Sequence, residues 1–131
     1  MNGVEMSKGA IIVAVDDMFF AAKIRTTGDA LKVPLRFARK AEEIISAARK
    51  QNPSLIIFDL HTERLDPFEL ARELKADEQL RHIRLLGFFS HVQIELERRA
   101  RDAGFEQVMP RSAFTRRLAE ILQGEERLSL D

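Results

Sequence analysis

The chain has no cysteine, no tyrosine and no tryptophan among its 131 residues. Without cysteine there is no disulfide framework, no thiolate chemistry and no cysteine-based zinc site. Its 21 basic residues equal its 21 acidic residues, so no overall field favours DNA, RNA or an anionic membrane. The sequence also lacks the long apolar runs of a signal peptide or a membrane span. These absences favour a soluble, cytoplasmic single domain.

Four short apolar runs each end on, or just before, a residue that could serve phosphoryl chemistry. The runs cover residues 11–15, 55–58, 85–89 and 107–110. If they are parallel strands, their ends lie along one edge of a sheet, where open α/β sheets bind ligands. Three carboxylates, a hydroxyl and a cation would then converge: Asp16, Asp17, Asp59, Ser90 and Arg111.

Strands alternate with amphipathic segments along the chain, which predicts an α/β fold of five βα units. The second strand, over 32–37, contains Pro34, which cannot donate to a ladder and therefore belongs at a sheet edge. Strands one, three and four are apolar without alternation, as expected of strands covered on both faces. Both observations fit the flavodoxin-like, doubly wound parallel sheet with strand order 2-1-3-4-5.

Capping residues mark the predicted helix ends. Asp17 is expected to cap the first helix, which would stop near Gly28, and Asp66 followed by Pro67 predicts the start of the third. Ser112 is expected to cap the last helix. The fourth and last helices carry apolar stripes at Val92, Leu96, Ala100 and Ala103, and at Phe114, Leu118, Ile121 and Leu122.

From about residue 9 to 122, this pattern resembles the receiver domain of bacterial two-component response regulators, the CheY-like fold. Residues 15–17, Val-Asp-Asp, match the acidic pair of that family, and residues 53–60 match the run that leads to its phospho-acceptor aspartate. Ser90 falls at the hydroxyl position, and residues 103–105 fall at the Ala-Gly-Ala turn. We therefore expect a receiver-like domain over 9–124, with a flexible N-terminus over 1–8 and a tail over 125–131.

The resemblance implies that Asp59 is the phospho-acceptor, with a histidine kinase, a phosphotransfer protein or a small phosphodonor supplying the phosphoryl group. It also implies a Mg²⁺ ion held by Asp16, Asp17, Asp59 and the main-chain carbonyl of His61, because oxygen ligands suit that cation. Beyond self-phosphorylation and autodephosphorylation, the resemblance implies no enzymatic activity.

The chain departs from the family pattern around this site. Ser90 keeps the hydroxyl that binds the phosphoryl group, but Arg111 stands where the family has lysine. Val108 replaces the aromatic residue whose rotamer reports phosphorylation, and His91 replaces a small residue after Ser90. These changes predict an atypical receiver with altered coupling to its output.

Several readings remain open. The preferred one is a stand-alone phosphorelay receiver, a monomer or weak homodimer, that contacts a downstream protein through its last two helices. One alternative is a pseudo-receiver that binds proteins without phosphorylation. A flavodoxin-fold cofactor enzyme is disfavoured because no glycine-rich loop follows the first strand, and a DNA-binding regulator is disfavoured by zero net charge. His61 and His91 could together bind a transition metal, although exposed loop histidines are the more ordinary explanation.

Overall fold

Residues 10–90 and 94–124, which the computed structural model describes, form a five-stranded parallel sheet in the order β2-β1-β3-β4-β5. The strands are β1 (Ile11–Ala14), β2 (Leu35–Phe37), β3 (Leu55–Asp59), β4 (Arg84–Phe89) and β5 (Gln107–Pro110). The helices are α1 (Met18–Leu31), α2 (Ala41–Gln51), α3 (Pro67–Ala76), α4 (Ile94–Ala103), α5 (Arg111–Arg116) and α6 (Leu118–Gln123). The predicted flavodoxin-like fold is confirmed. The expected N-terminus and tail, together with His91 and Val92, lie outside the described residues.

The sheet is covered on both faces, so each central strand contributes to two cores. Ile56 and Phe58 of β3 pack with α2, α3 and α4, whereas Leu55 and Ile57 of the same strand pack with α1, α5 and α6. All four side chains are buried, which explains why the strand shows no polar alternation in the sequence. Within the described ranges, no helix is long and apolar enough to cross a membrane.

β2 is the edge strand that the proline predicted, although it is shorter than expected. The strand begins at Leu35 and pairs only with β1. Pro34 precedes it, and the carbonyl of Pro34 still accepts a hydrogen bond from the amide of Ile11 at 3.0 Å.

α1 does not stop near Gly28, as the sequence predicted, but continues to Leu31 and ends at Lys32 in the left-handed conformation (φ 59°). Gly28 lies buried inside the helix, where a Cβ atom would come within 2.6 Å of the Leu35 side chain. The glycine therefore permits α1 to pack closely on β2, and it does not terminate the helix.

The last helix differs from the prediction at both its start and its middle. Helix α5 begins at Arg111 with extended Pro110 at its N-cap, so Ser112 lies inside the helix and does not cap it. Arg117 leaves helical geometry and divides the segment into α5 and α6, although its amide still donates to the carbonyl of Ala113 at 3.0 Å. The predicted apolar face is confirmed, because Phe114, Leu118, Ile121 and Leu122 are all buried.

Three phenylalanines join α1, β4 and α5 below the carboxyl ends of the strands. The rings of Phe88 and Phe114 stack with centroids 4.8 Å apart, and Phe20 meets Phe88 edge-on at 5.2 Å. Such aromatic pairs contribute about 0.5–1.5 kcal/mol beyond the area they bury. This aromatic cluster fixes the start of α1 against the start of α5.

We expect Phe114→Ala to lower the free energy of unfolding by about 3–5 kcal/mol, because the side chain is 0% exposed and its loss leaves a cavity. Phe19→Ala is the matched control: Phe19 is 91% exposed, and its truncation should change stability by less than about 0.5 kcal/mol. Urea denaturation of both variants measures the difference. Similar losses in the two variants would contradict this description of the core.

Candidate functional site

An open cleft of about 680 Å³ lies at the carboxyl ends of β1 and β3. Among the described residues, those lining it include four of the predicted site residues, His61 among them, and the loop that follows β3: Asp16, Asp17, Lys40, Asp59, His61, Thr62, Glu63 and Arg64. The convergence of Asp16, Asp17 and Asp59 follows from the parallel pairing of β1 with β3. This cleft is the candidate functional site.

Asp59 is partly buried at the end of the central strand β3. Its Oδ1 atom accepts a hydrogen bond from the amide of His61 at 2.9 Å. Burial raises the pKa of the Asp59 carboxyl above its ordinary value, although the His61 amide and the charge of Arg111 oppose the shift. The folded protein therefore disfavours the charged form of the Asp59 carboxyl.

The residue after Asp59 anchors the loop to the neighbouring strand. The amide of Leu60 donates to the carbonyl of Phe88 at 2.9 Å, and the Leu60 side chain lies directly over Gly87. A Cβ atom at Gly87 would meet the Leu60 side chain at 2.7 Å, so any larger residue here would force Leu60 to move. The contact holds the start of the β3–α3 loop, and with it the orientation of Asp59.

Asp17 caps α1, as the sequence predicted, and also forms an ion pair. Its Oδ1 accepts from the amide of Phe20 at 3.0 Å, and its Oδ2 lies 3.3 Å from Nη2 of Arg111. The Phe20 amide and the Arg111 guanidinium hold the pKa of the Asp17 carboxyl below its usual range. Asp17 and Asp59 thus have pKa values shifted in opposite directions within one cleft.

Arg111 is held by two contacts with α1. Its guanidinium carbon lies 3.9 Å from the centre of the Phe20 ring, and Nη2 pairs with Asp17. A planar guanidinium suits both stacking on a ring and pairing with a carboxylate, which a lysine ammonium does less well. The predicted role of Arg111 as a partner of the acidic residues is therefore seen in its pairing with Asp17.

Asp16 is bound by the β3–α3 loop in a way that sequence reasoning missed. The hydroxyl of Thr62 donates to Asp16 Oδ2 at 2.6 Å, and Nε of Arg64 lies 3.6 Å from Asp16 Oδ1. The amide of Thr62 donates to the carbonyl of Asp59 at 3.1 Å, so the loop links the two aspartates. The only signal in the sequence was the position of these polar residues shortly after Asp59.

Three residues that the sequence singled out do not line the cleft: Ser90, Val108 and Arg111, although Arg111 contacts Asp17 at its edge. Ser90 is exposed at the end of β4, two residues beyond Phe88, the register partner of Asp59, and it is not among the residues lining the cleft. Val108 is buried in the core that faces α4, packed in the same cluster as Leu96 and Phe105. The serine therefore has the predicted strand position, whereas its contact with a bound group stays a prediction.

The donor atoms in the cleft suit a hard cation such as Mg²⁺, since carboxylate and carbonyl oxygens are its usual protein ligands. Their arrangement is less favourable, because both oxygens of Asp16 are engaged by Thr62 and Arg64. Over residues 10–90 and 94–124, no three acidic or histidine side chains are grouped closely enough to hold a metal ion. The chemistry of the donors thus fits the cation, but their present geometry does not.

Comparison with known proteins supports the resemblance seen in the sequence. The chain is 28% identical over 85 residues to the polar-differentiation response regulator DivK of Brucella ovis, which covers 65% of this chain and 69% of DivK. No protein-family model matches.

Among solved structures, a response regulator from Hahella chejuensis superposes with a TM-score of 0.78 at 19% identity, over 88% of this chain and 93% of that chain. The chemotaxis response regulator CheY4 of Vibrio cholerae superposes with a TM-score of 0.76 at 15% identity, over 90% and 98% of the two chains. At these identities the structural matches establish the fold. The resemblance to response-regulator receiver domains is confirmed.

Because the pKa of Asp59 is raised, ionisation of this carboxyl in the folded state should lower the stability of the protein, by an amount that depends on pH. Between the ordinary pKa and the raised one, the folded state binds more protons than the unfolded state, so stability falls as pH rises through that window. Asp59→Asn keeps the acceptor for the His61 amide but cannot ionise. We expect this variant to be more stable than the wild type at pH 7.5 with a chelator present, and the gain to shrink towards pH 4.

Asp17→Asn is the control of opposite sign, because the pKa of Asp17 is lowered. Its removal should reduce stability at pH 7.5, and the loss should disappear as the pH falls through the lowered pKa. Urea denaturation of both variants and the wild type at several pH values measures the two trends. A gain for Asp59→Asn that is the same at every pH would show that the charge of Asp59 is not responsible.

Proposed function

We propose that this chain is a receiver of two-component signalling in which Asp59 accepts a phosphoryl group. The observation that carries the proposal is the position of Asp59, at the end of the central strand and in an open cleft with Asp16 and Asp17. The similarity to DivK and the receiver fold of the structural neighbours support it. The proposed domain covers residues 9–124.

The chemistry follows from the contacts of Asp59. Its Oδ1 is engaged by the His61 amide, so Oδ2 is the oxygen that attacks phosphorus. With phosphohistidine as donor, a P–O bond to Asp59 forms as the P–N bond breaks, and the imidazole leaves with the bonding electron pair. With acetyl phosphate, a P–O bond breaks and acetate leaves. A partly buried carboxylate is less well solvated than an exposed one, which leaves it more reactive.

Neighbouring residues have supporting roles in this proposal. Ser90 donates a hydrogen bond to the transferred phosphoryl group, and Arg111 supplies the cation that the family takes from lysine. Asp16, Asp17, Asp59 and the carbonyl of His61 would hold Mg²⁺ once Arg64 moves away from Asp16, and the cation would offset the repulsion between carboxylate and phosphate. Apart from this self-phosphorylation and its hydrolysis, we propose no enzymatic activity.

The proposed partners follow from the same reading. A sensor histidine kinase or a phosphotransfer protein supplies the phosphoryl group in the cytoplasm. A downstream protein binds the surface of the last helices, and the chain acts as a monomer or weak homodimer. Two arginines on this surface pair with neighbouring acids, Arg101 with Glu97 and Arg117 with Glu120, and the chain has zero net charge, which argues against nucleic acid as the partner.

A second candidate is a pseudo-receiver, a protein whose affinity for its partner does not depend on whether Asp59 is phosphorylated. The observation that favours it is the burial of Val108 in the core, where the family has a mobile aromatic side chain. A ligand shifts a conformational equilibrium only by its differential affinity for the two states. Without that aromatic side chain, one source of the difference in affinity between the two states is missing.

Incubation with acetyl phosphate and Mg²⁺ should add one phosphoryl group to the wild-type chain, and Asp59→Asn should abolish the addition. Asp102→Asn is the matched control, because Asp102 is an exposed aspartate on α4 that does not line the cleft. It should be modified to the same extent as the wild type. Intact-mass spectrometry detects the adduct, and an unmodified wild type would contradict the proposal.

Beryllofluoride, a phosphate mimic, should change partner affinity at the surface formed by α4, β5, α5 and α6 by less than tenfold, because buried Val108 cannot reorient as an aromatic switch does. Amide chemical shifts of these elements, with and without beryllofluoride, measure the structural response, and titration with the partner measures the affinity. A tenfold or larger change, equivalent to about 1.4 kcal/mol, would show a working switch.

A further inference from the structure

We propose that Arg64 is an internal counter-ion of Asp16, occupying the place of a divalent cation and weakening its binding. This inference rests on the proposed function, because it assigns a residue that controls entry of the cation to that same site. The argument begins with Asp16, both of whose oxygens are engaged: Oδ2 by the Thr62 hydroxyl at 2.6 Å and Oδ1 by Arg64 Nε at 3.6 Å.

The β3–α3 loop is folded so that Arg64 returns to the cleft. The amide of Thr62 donates to the Asp59 carbonyl at 3.1 Å, and the amide of Arg64 donates to the Thr62 hydroxyl oxygen at 3.3 Å. These two hydrogen bonds turn the chain back towards Asp16, and Arg64 itself lines the cleft. The main chain of the loop therefore places Arg64 within reach of Asp16.

The charges in the cleft are paired in two separate sets. Arg111 pairs with Asp17 from the end of β5, and Arg64 pairs with Asp16 from the β3–α3 loop. A divalent cation that used both acidic residues would have to displace Arg64 from Asp16 or share the carboxylate with it. Because Arg64 is 56% exposed, its ion pair is weak, so the cation is hindered and not excluded.

Arg64→Gln should therefore tighten the binding of Mn²⁺, a hard cation that prefers the same oxygen ligands, by about two- to fivefold, the range that an exposed ion pair supplies. Arg81→Gln is the matched control. Arg81 is also 56% exposed and also pairs with an acidic residue, Glu78 at 3.8 Å, but it does not line this cleft. Both variants remove one positive charge, so only a local effect distinguishes them.

Electron paramagnetic resonance counts free Mn²⁺ directly and gives the affinity of each purified chain. Tighter binding by Arg64→Gln, unchanged binding by Arg81→Gln, and loss of the gain when Asp16→Asn is added would support the inference. Equal affinity of Arg64→Gln and the wild type, equal gains in both arginine variants, or a gain that survives Asp16→Asn would each overturn it. Absence of binding in all variants would overturn it as well. Phosphorylation of Asp59, measured separately by mass, decides the proposed function independently of these outcomes.

Discussion

The structure depends on β3, a strand that is hydrogen-bonded on both sides and covered on both faces. It pairs with β1 and β4 in parallel, and its apolar side chains divide between the two cores of the domain. Parallel pairing places the carboxyl ends of β1 and β3 at the same edge of the sheet. Asp59 therefore lies beside the end of β1 and the two aspartates that follow it, Asp16 and Asp17. The burial that stabilises β3 also raises the pKa of Asp59. Stability of the sheet and the raised pKa of Asp59 therefore share one cause.

The acidic cleft is stable because its charges are balanced locally and weakly. Asp16 and Asp17 each pair with an arginine, at 3.6 and 3.3 Å, and all four side chains remain partly exposed to solvent. Exposed pairs of this kind stabilise a protein far less than the burial of a single core phenylalanine does. The ion pairs thus set the electrostatic state of the cleft without determining the fold. A ligand of higher charge can displace them without unfolding the surrounding structure.

Local patterns in the sequence predicted the fold and the meeting of Asp16, Asp17 and Asp59, because these features follow from short apolar segments that form parallel strands. Apolar runs specified the central strands, and the cap at Asp17 depended on contacts with the next turn. Thr62 and Arg64 were missed because their partner Asp16 lies 46 residues from Thr62 in sequence, and only the assembled sheet brings them together. The errors at Gly28 and Ser112 have a similar origin. Packing against Leu35 and an extended Pro110 overrode residue types that ordinarily end or begin helices.

Val108 of β5 and Arg111, just after the strand, contact opposite cores of the sheet, which constrains how the cleft can influence the rest of the molecule. Arg111 stacks on Phe20, whose ring packs with Phe88 and Phe114 on the face of α1 and α5. Val108 lies on the opposite face, buried with Leu96 of α4. Position 108 holds a valine, so there is no aromatic side chain at that position to link the cleft with α4. Among the described residues, one route from Asp59 to α4 is the main chain of β4 and β5, whose movement is resisted by the close packing of both cores.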